Sequence, residues 1–231
     1  MTDQEIIEKI DTVLKKLHKF FREIEPEAES IQKNGIKRSE YFNQHPEFDD
    51  DAKSDFPFSL KPQNIIDEKL PFHVAGCTGR ARLFSYYAEQ IGLKDFYVVL
   101  TARISDLEKY ANKQLDGQIW GHQLIAIKLT GSLHPDHLCL IDPGRSDSFN
   151  TARLPYDCVV NGNINYSGEP YTISAIFTPE QYDNIDSYAK IKDVYLSSKT
   201  ARKILLNTAT KEMENKTKNK FIQYESNDRI S

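Results

Sequence analysis

The chain has 231 residues, 39% of them hydrophobic, and a formal net charge of −4, enough apolar material for one sizeable domain or a domain with helical appendages. The acidic balance, with a pI near 5.9, gives no electrostatic footing for nucleic acid, which prefers a basic face. No segment approaches about 18 consecutive apolar residues, and the start of the chain has neither a basic n-region nor an apolar h-region, so neither membrane insertion nor a cleaved leader is expected. Three cysteines, Cys77, Cys139 and Cys158, are an odd and sparse set, suited to a reducing compartment rather than a disulfide scaffold. A cytoplasmic location follows, with an effector exported without a cleaved signal as the equivalent alternative.

In chain order, Thr2 and Glu5 form a capping box, and Ile6, Ile10, Val13, Leu14, Leu17, Phe20, Phe21 and Ile24 repeat at helical spacing. This amphipathic helix is expected to pack on the rest of the protein rather than on a membrane, because acidic residues offset its lysines. Residues 42–64, with Pro46, Pro57, Pro62 and the run Asp49-Asp50-Asp51, lack periodicity and read as a surface loop or lid. From Cys77 to Ile91 the pattern is helical, with Ala81, Phe84, Ala88 and Ile91 on one face and Gly92 as a left-handed stop. Asp95 to Arg103 reads as a strand, Ser105 with Glu108 as the cap of a short helix reaching about Gln114, and Asp116-Gly117 as a turn. Ile119–Leu129 and Leu138–Ile141 read as a strand pair, and Tyr171–Phe177 as another strand. Thr178-Pro179-Glu180-Gln181 opens a helix with proline in its first turn, and the chain from Ser197 is helical and then increasingly polar. The fold class is α+β.

Cys77 opens its helix. The first-turn amides of a helix have no internal partner and carry partial positive charge, which favours a thiolate; at such sites cysteine pKa values fall from about 8.5 to roughly 3.5–7.5. His122 lies in the apolar run Gly121 to Ile127, and Asp142 follows Leu138 to Ile141. Together they are a nucleophile, a base and an orienting carboxylate. They lie 45 and then 20 positions apart, so only the fold can join them, with the histidine and aspartate on adjacent strands about 4.8 Å apart and the helix start abutting both.

Gly76-Cys77 with Ala81, Leu83, Phe84, Ala88 and Gly92, then Gly121-His122 before an apolar strand, then Asp142-Pro143, resembles the transglutaminase-like superfamily. These papain-related cysteine enzymes include transglutaminases and peptide N-glycanases. The resemblance covers about residues 70–145. It implies a nucleophile helix packed on an antiparallel sheet, with Cys77 as nucleophile, His122 as general base and acid, and Asp142 fixing the imidazole tautomer. The chain then divides into an N-terminal helical region (1–45), a loop or lid (46–69), a transglutaminase-like core (70–178) and a C-terminal helical extension (179–231). Gln123 and Leu124 stand where the family often has an aromatic residue two places after the histidine, which bears on substrate class. The family's oxyanion donors are the cysteine's own amide and an upstream side chain, for which His73 is the nearest candidate.

Such a site performs cysteine-dependent acyl transfer or hydrolysis on an amide through a thioester, with a protein or peptide amide as the expected substrate and no cofactor or metal. A non-catalytic binding module on the same fold is the alternative. Singly, a helix cysteine is ordinarily a small buried hydrophobe and an aspartate before Pro-Gly a turn residue; order, spacing and context favour the chemical reading of the three together. Cys139 and Cys158 read as structural thiols, and Trp120 as either core or cleft wall. His134-Pro135-Asp136-His137 reads as a loop, because no second Cys/His cluster matches it as a metal site.

Overall fold

The computed structural model describes residues 1–28, 31–130, 138–155, 159–160, 162–211 and 213. Helix α1 spans Asp3–Ile24 under the expected capping box: the Thr2 hydroxyl accepts the Glu5 N–H at 3.2 Å and the Glu5 carboxylate accepts the Thr2 N–H at 2.7 Å. Short helices follow, α2 (Ile31–Asn34), α3 (Arg38–Gln44), α4 (Asp50–Ser59) and α5 (Pro62–Asp67). The stretch 46–69 is therefore largely helical and not a loop or lid, with Phe56, Phe58, Leu60 and Ile65 buried in the main core. Helices of ten and six residues have too few turns to show a repeat; their signals are local, an Asp49 carboxylate accepting the Ala52 N–H at 2.7 Å and Pro62 in a first turn.

Helix α6 runs Phe72–Gln90 but is broken at Gly76 (φ 63°, ψ −172°), so its main body begins at Cys77. It ends at the expected left-handed glycine, Gly92 (φ 64°). Next come β1 (Phe96–Arg103) and α7 (Ile104–Ala111). Ser105 does not cap α7, which starts one residue earlier without a side-chain cap. The chain continues through β2 (Gly121–Lys128), β3 (Leu138–Ile141), α8 (Phe149–Ala152), β4 (Val159–Val160), β5 (Asn163–Tyr166) and β6 (Glu169–Phe177). It closes with α9 (Pro179–Asp183), capped by Thr178, then α10 (Tyr188–Ser197) and a helical stretch over 199–211.

The strands form one antiparallel sheet in the order β3-β2-β1-β6-β5-β4. Strand β1 is central and buried on both faces: Val98, Leu100 and Ala102 join the helices' core, while Val99 packs with Leu124, Ala126, Leu140 and Ile164 on the other side. Burial on both faces is why β1 reads as an unbroken apolar run and not as an alternating one. The stripe Ile10, Val13, Leu14, Leu17 and Phe21 of α1 is sealed from solvent, with α1 packed against α6 and α8. A buried guanidinium, Arg82, bridges the backbone carbonyls of Leu60 and Ile185, the latter at 2.7 Å, with Tyr182 stacked at 5.3 Å. It ties the α4–α5 connection to the segment after α9. Among the described residues no helix is long and apolar enough to cross a membrane. Cys158, the His134 to His137 loop and the polar end of the chain lie outside the described residues.

Candidate active site

The fold brings Cys77, His122 and Asp142 together. Gly76 places the first of them: its φ of 63° with ψ of −172° belongs to a region open in practice only to glycine. The turn over Phe72–Ala75 can therefore end and a new helix begin at the cysteine. A Cβ at Gly76 would collide with the Arg38 Nη2 atom, so the break also makes room for that side chain. Gly76→Ala is expected to destabilise the protein by about 1–3 kcal/mol from backbone strain alone, and to slow alkylation of Cys77 by moving the helix start. Thermal unfolding and mass spectrometry check both; a Tm within a degree of wild type with unchanged alkylation would refute this role for Gly76.

His122 enters from the start of β2, and Asp142 leaves the end of its neighbour β3. The His122 Nε2 and an Asp142 carboxylate oxygen are 3.1 Å apart, and the Asp142 side chain is almost fully buried. The other carboxylate oxygen accepts the Gly144 N–H at 2.9 Å. Asp142 is thus a turn residue and the histidine's partner at once. Tyr166, at the end of β5, donates its hydroxyl to the oxygen facing His122 and stacks on the imidazole, ring centroids 4.5 Å apart at 25°. The half-buried Cys77 thiol donates to the side-chain carbonyl of Gln123, next along β2, and hydrogen-bonds the imidazole. The Gln123 amide nitrogen reaches the Tyr195 hydroxyl at 3.4 Å.

The turn that carries Asp142 is held from the N-terminal helix. His18 of α1 bonds the Pro143 carbonyl at 2.9 Å, Arg22 pairs with Asp147 at 3.0 Å, and Asp11 accepts the Phe149 N–H at 2.6 Å. Gln32 adds a bond to the Arg145 carbonyl at 2.7 Å. At Gly144 a Cβ would lie 2.7 Å from the Arg80 Nε atom, so a side chain there would push that guanidinium aside. Arg80 itself stacks on Phe72 at 4.1 Å.

These contacts set the protonation states. Burial pushes the Cys77 thiol up, but the His122 hydrogen bond and charge, and the field of Arg80, outweigh it and bring it down to about 7. Burial disfavours the imidazolium, yet Asp142 and Cys77 raise His122 to about 9. For Asp142 burial again opposes ionisation; His122, Arg80 and the Tyr166 hydroxyl win and hold it well below the usual carboxylate range. Between about pH 7 and 9 the low-energy state is a thiolate facing an imidazolium. Burial lifts the Cys139 thiol to about 11, as suits a structural thiol.

A cleft of about 510 Å³ opens at Cys77, its walls including Arg38, Phe58, Arg80, Arg103, Trp120 and Tyr171. Trp120 is 64% exposed, which settles it as cleft wall and not core. His73 also lines the cleft, but its Nε2 lies 3.2 Å from the Lys37 ammonium. Sequence reasoning missed Tyr166, Gln123 and Arg38. The dipeptide Ser167-Gly168, which forms a two-residue hairpin turn with φ of 53° and 82°, marks where β5 ends but not that Tyr166 lies under the imidazole. Among the described residues no cluster of three or more His, Cys, Asp or Glu could hold a metal ion. No protein-family model, curated protein or solved structure matches the chain.

Proposed function

We propose that the protein is a cysteine-dependent enzyme of the transglutaminase-like kind, which transfers or hydrolyses the acyl group of an amide through a thioester on Cys77. The observation that carries this reading is His122 held between the Cys77 sulfur and the Asp142 carboxylate, with the cysteine at the start of a helix body. The Cys77 thiolate attacks the amide carbonyl carbon. The His122 imidazolium gives its proton to the departing nitrogen, the C–N bond breaks, and an amine or ammonia leaves. His122, now neutral, takes a proton from water or from an acceptor amine, which attacks the thioester and restores the thiolate. Water makes the outcome hydrolysis; an amine makes it transamidation. Asp142, fixed by Tyr166 and the Gly144 N–H, keeps the imidazole in the tautomer whose free nitrogen faces the sulfur.

The oxyanion of the tetrahedral intermediate meets the Cys77 N–H in the first turn of the helix body. Gln123, whose side-chain amide touches the sulfur, is a better second donor than His73. Turning its amide over presents Nε2–H to the oxyanion at the expense of the long bond to Tyr195.

The test is the pH profile of iodoacetamide alkylation at Cys77, read by mass spectrometry. In wild type the midpoint is expected near pH 7. In His122→Ala it is expected to rise to about 8.5 or above, the range of an ordinary thiol. An ordinary profile in both proteins would sink the enzyme reading and leave a binding module.

A further inference from the structure

The cleft at Cys77 is cationic in a chain whose net charge is −4. Arg38, Arg80 and Arg103 all line it, and among the described residues no aspartate or glutamate does. Among the described residues no carboxylate pairs with any of the three guanidinium groups. Neutral groups hold them instead. Arg38 donates to the Val74 carbonyl at 3.3 Å, Arg80 donates to the Phe72 carbonyl at 3.4 Å, and Arg103 lies over the Tyr171 ring at 6.0 Å. Each keeps a buried Nε with no hydrogen-bond acceptor among the described residues. The Tyr171 side chain, by its hydrogen bond, is the main influence favouring the Arg103 charge, and Asp106 and Glu169 add to it only as charges without a contact.

Counting charges shows what is missing. The thiolate, the imidazolium and the Asp142 carboxylate sum to −1, and three guanidinium groups add +3, so the site carries +2 with nothing on the cleft side to answer it. Burial disfavours the Arg38 charge in particular, and the planar guanidinium fork matches the oxygens of a carboxylate or a phosphate. Arg80 acts on Cys77 and Asp142 and belongs with the triad. Arg38 has the Cys77 charge nearby but its fork is given to no member of the triad, and Arg103 has no such task.

We propose that the acyl substrate of this site carries an oxyanion group, a carboxylate or a phosphate ester, close to the amide that Cys77 attacks, and that Arg38 and Arg103 bind it. Trp120, exposed at the same cleft, offers a flat face for the chain between the two groups. The proposal deepens the enzyme reading above and rests on it.

The experiment compares two electrophiles of similar size and different charge, iodoacetate and iodoacetamide, for their rates at Cys77. An ordinary thiol favours the neutral reagent. Here iodoacetate is expected to react faster by about tenfold or more, the low end of electrostatic focusing in a charged cleft. The double variant Arg38→Gln, Arg103→Gln is expected to lose that preference, read as the ratio of the two rates within each protein so that any change in the thiolate common to both reagents cancels, while Arg38→Lys, Arg103→Lys keeps most of it. Trp120 is the chain's single tryptophan, so its fluorescence reads binding of glutarate and of inorganic phosphate without using the thiol. A response to glutarate alone assigns a carboxylate, and a response to phosphate alone a phosphate ester. No preference for iodoacetate, or one that survives in the folded glutamine double variant, overturns the proposal, as does a fluorescence signal that neither anion moves. Slow reaction with both reagents and an ordinary thiol pH profile would instead count against the enzyme reading, and the fluorescence titration would still decide the anion site.

Discussion

Asp142→Asn is expected to lower turnover of an amide substrate by about 10⁴-fold while leaving the protein folded. The size of the effect comes from the way the turn fixes the side chain. One oxygen of Asp142 is committed to the Gly144 N–H at 2.9 Å, so an asparagine must keep its carbonyl there and present its NH₂ group to His122 and Tyr166. The imidazole then has to accept at Nε2 and carry its proton on the nitrogen facing the sulfur, where it cannot act as a base. The Tyr166 hydroxyl loses its acceptor as well. Two readouts check this. Turnover should collapse without a comparable change in Tm, and the midpoint of Cys77 alkylation should rise above the wild-type value near pH 7, because the group that stabilises the imidazolium has lost its charge. A loss of less than about tenfold, with the alkylation midpoint unmoved, would remove Asp142 from the mechanism.

Arg82→Leu is expected to destabilise the fold by about 2–4 kcal/mol, since it orphans two carbonyls at about 1–3 kcal/mol each and relieves part of the cost of a buried charge. Arg82 is 1% exposed and serves the carbonyls of Leu60 and Ile185, which lie in segments far apart in the chain. Leucine fills much of the volume but donates nothing, and Tyr182 loses the cation stacked on it. Arg82→Lys keeps the charge without the fork and should fall between the two. Denaturant unfolding checks the series. If the Arg82→Leu variant stays within about 0.5 kcal/mol of wild type, the range of ordinary surface changes, these carbonyls find other donors.

Why some of this was legible in the sequence and some was not has a physical basis. Cys77, His122 and Asp142 each sit beside a strong local signal: a glycine before a long helical pattern, a glycine before an apolar strand, and Pro-Gly after one. The helices α1 and α6 are long enough for periodicity to speak, and the strands β1, β2 and β6 for a run of β-branched, aromatic and apolar residues to do so. Tyr166 is one of 12 tyrosines and lies on a strand of four residues, so its place under the imidazole is decided by sheet pairing and not by its neighbours. Arg38 reaches the cleft from a helix of seven residues, and nothing near it in the chain points to Cys77. The 46–69 segment misled for a related reason: its polar and proline-rich composition hides buried positions, Phe56, Phe58 and Ile65, that recur over too short a span to form a pattern.

The scatter of the site along the chain makes its reactivity a property of the finished fold. The sulfur's neighbours come from β2, the aspartate's supports from β5 and from α1, and Asp11 and Phe149 alone are 138 positions apart. In an unfolded or nascent chain none of these groups meets, and the Cys77 thiol reverts to an ordinary one, mostly protonated at neutral pH. Completion of folding is then itself the event that turns this thiol into a thiolate, so a partly made or damaged copy carries only an ordinary cysteine at this position.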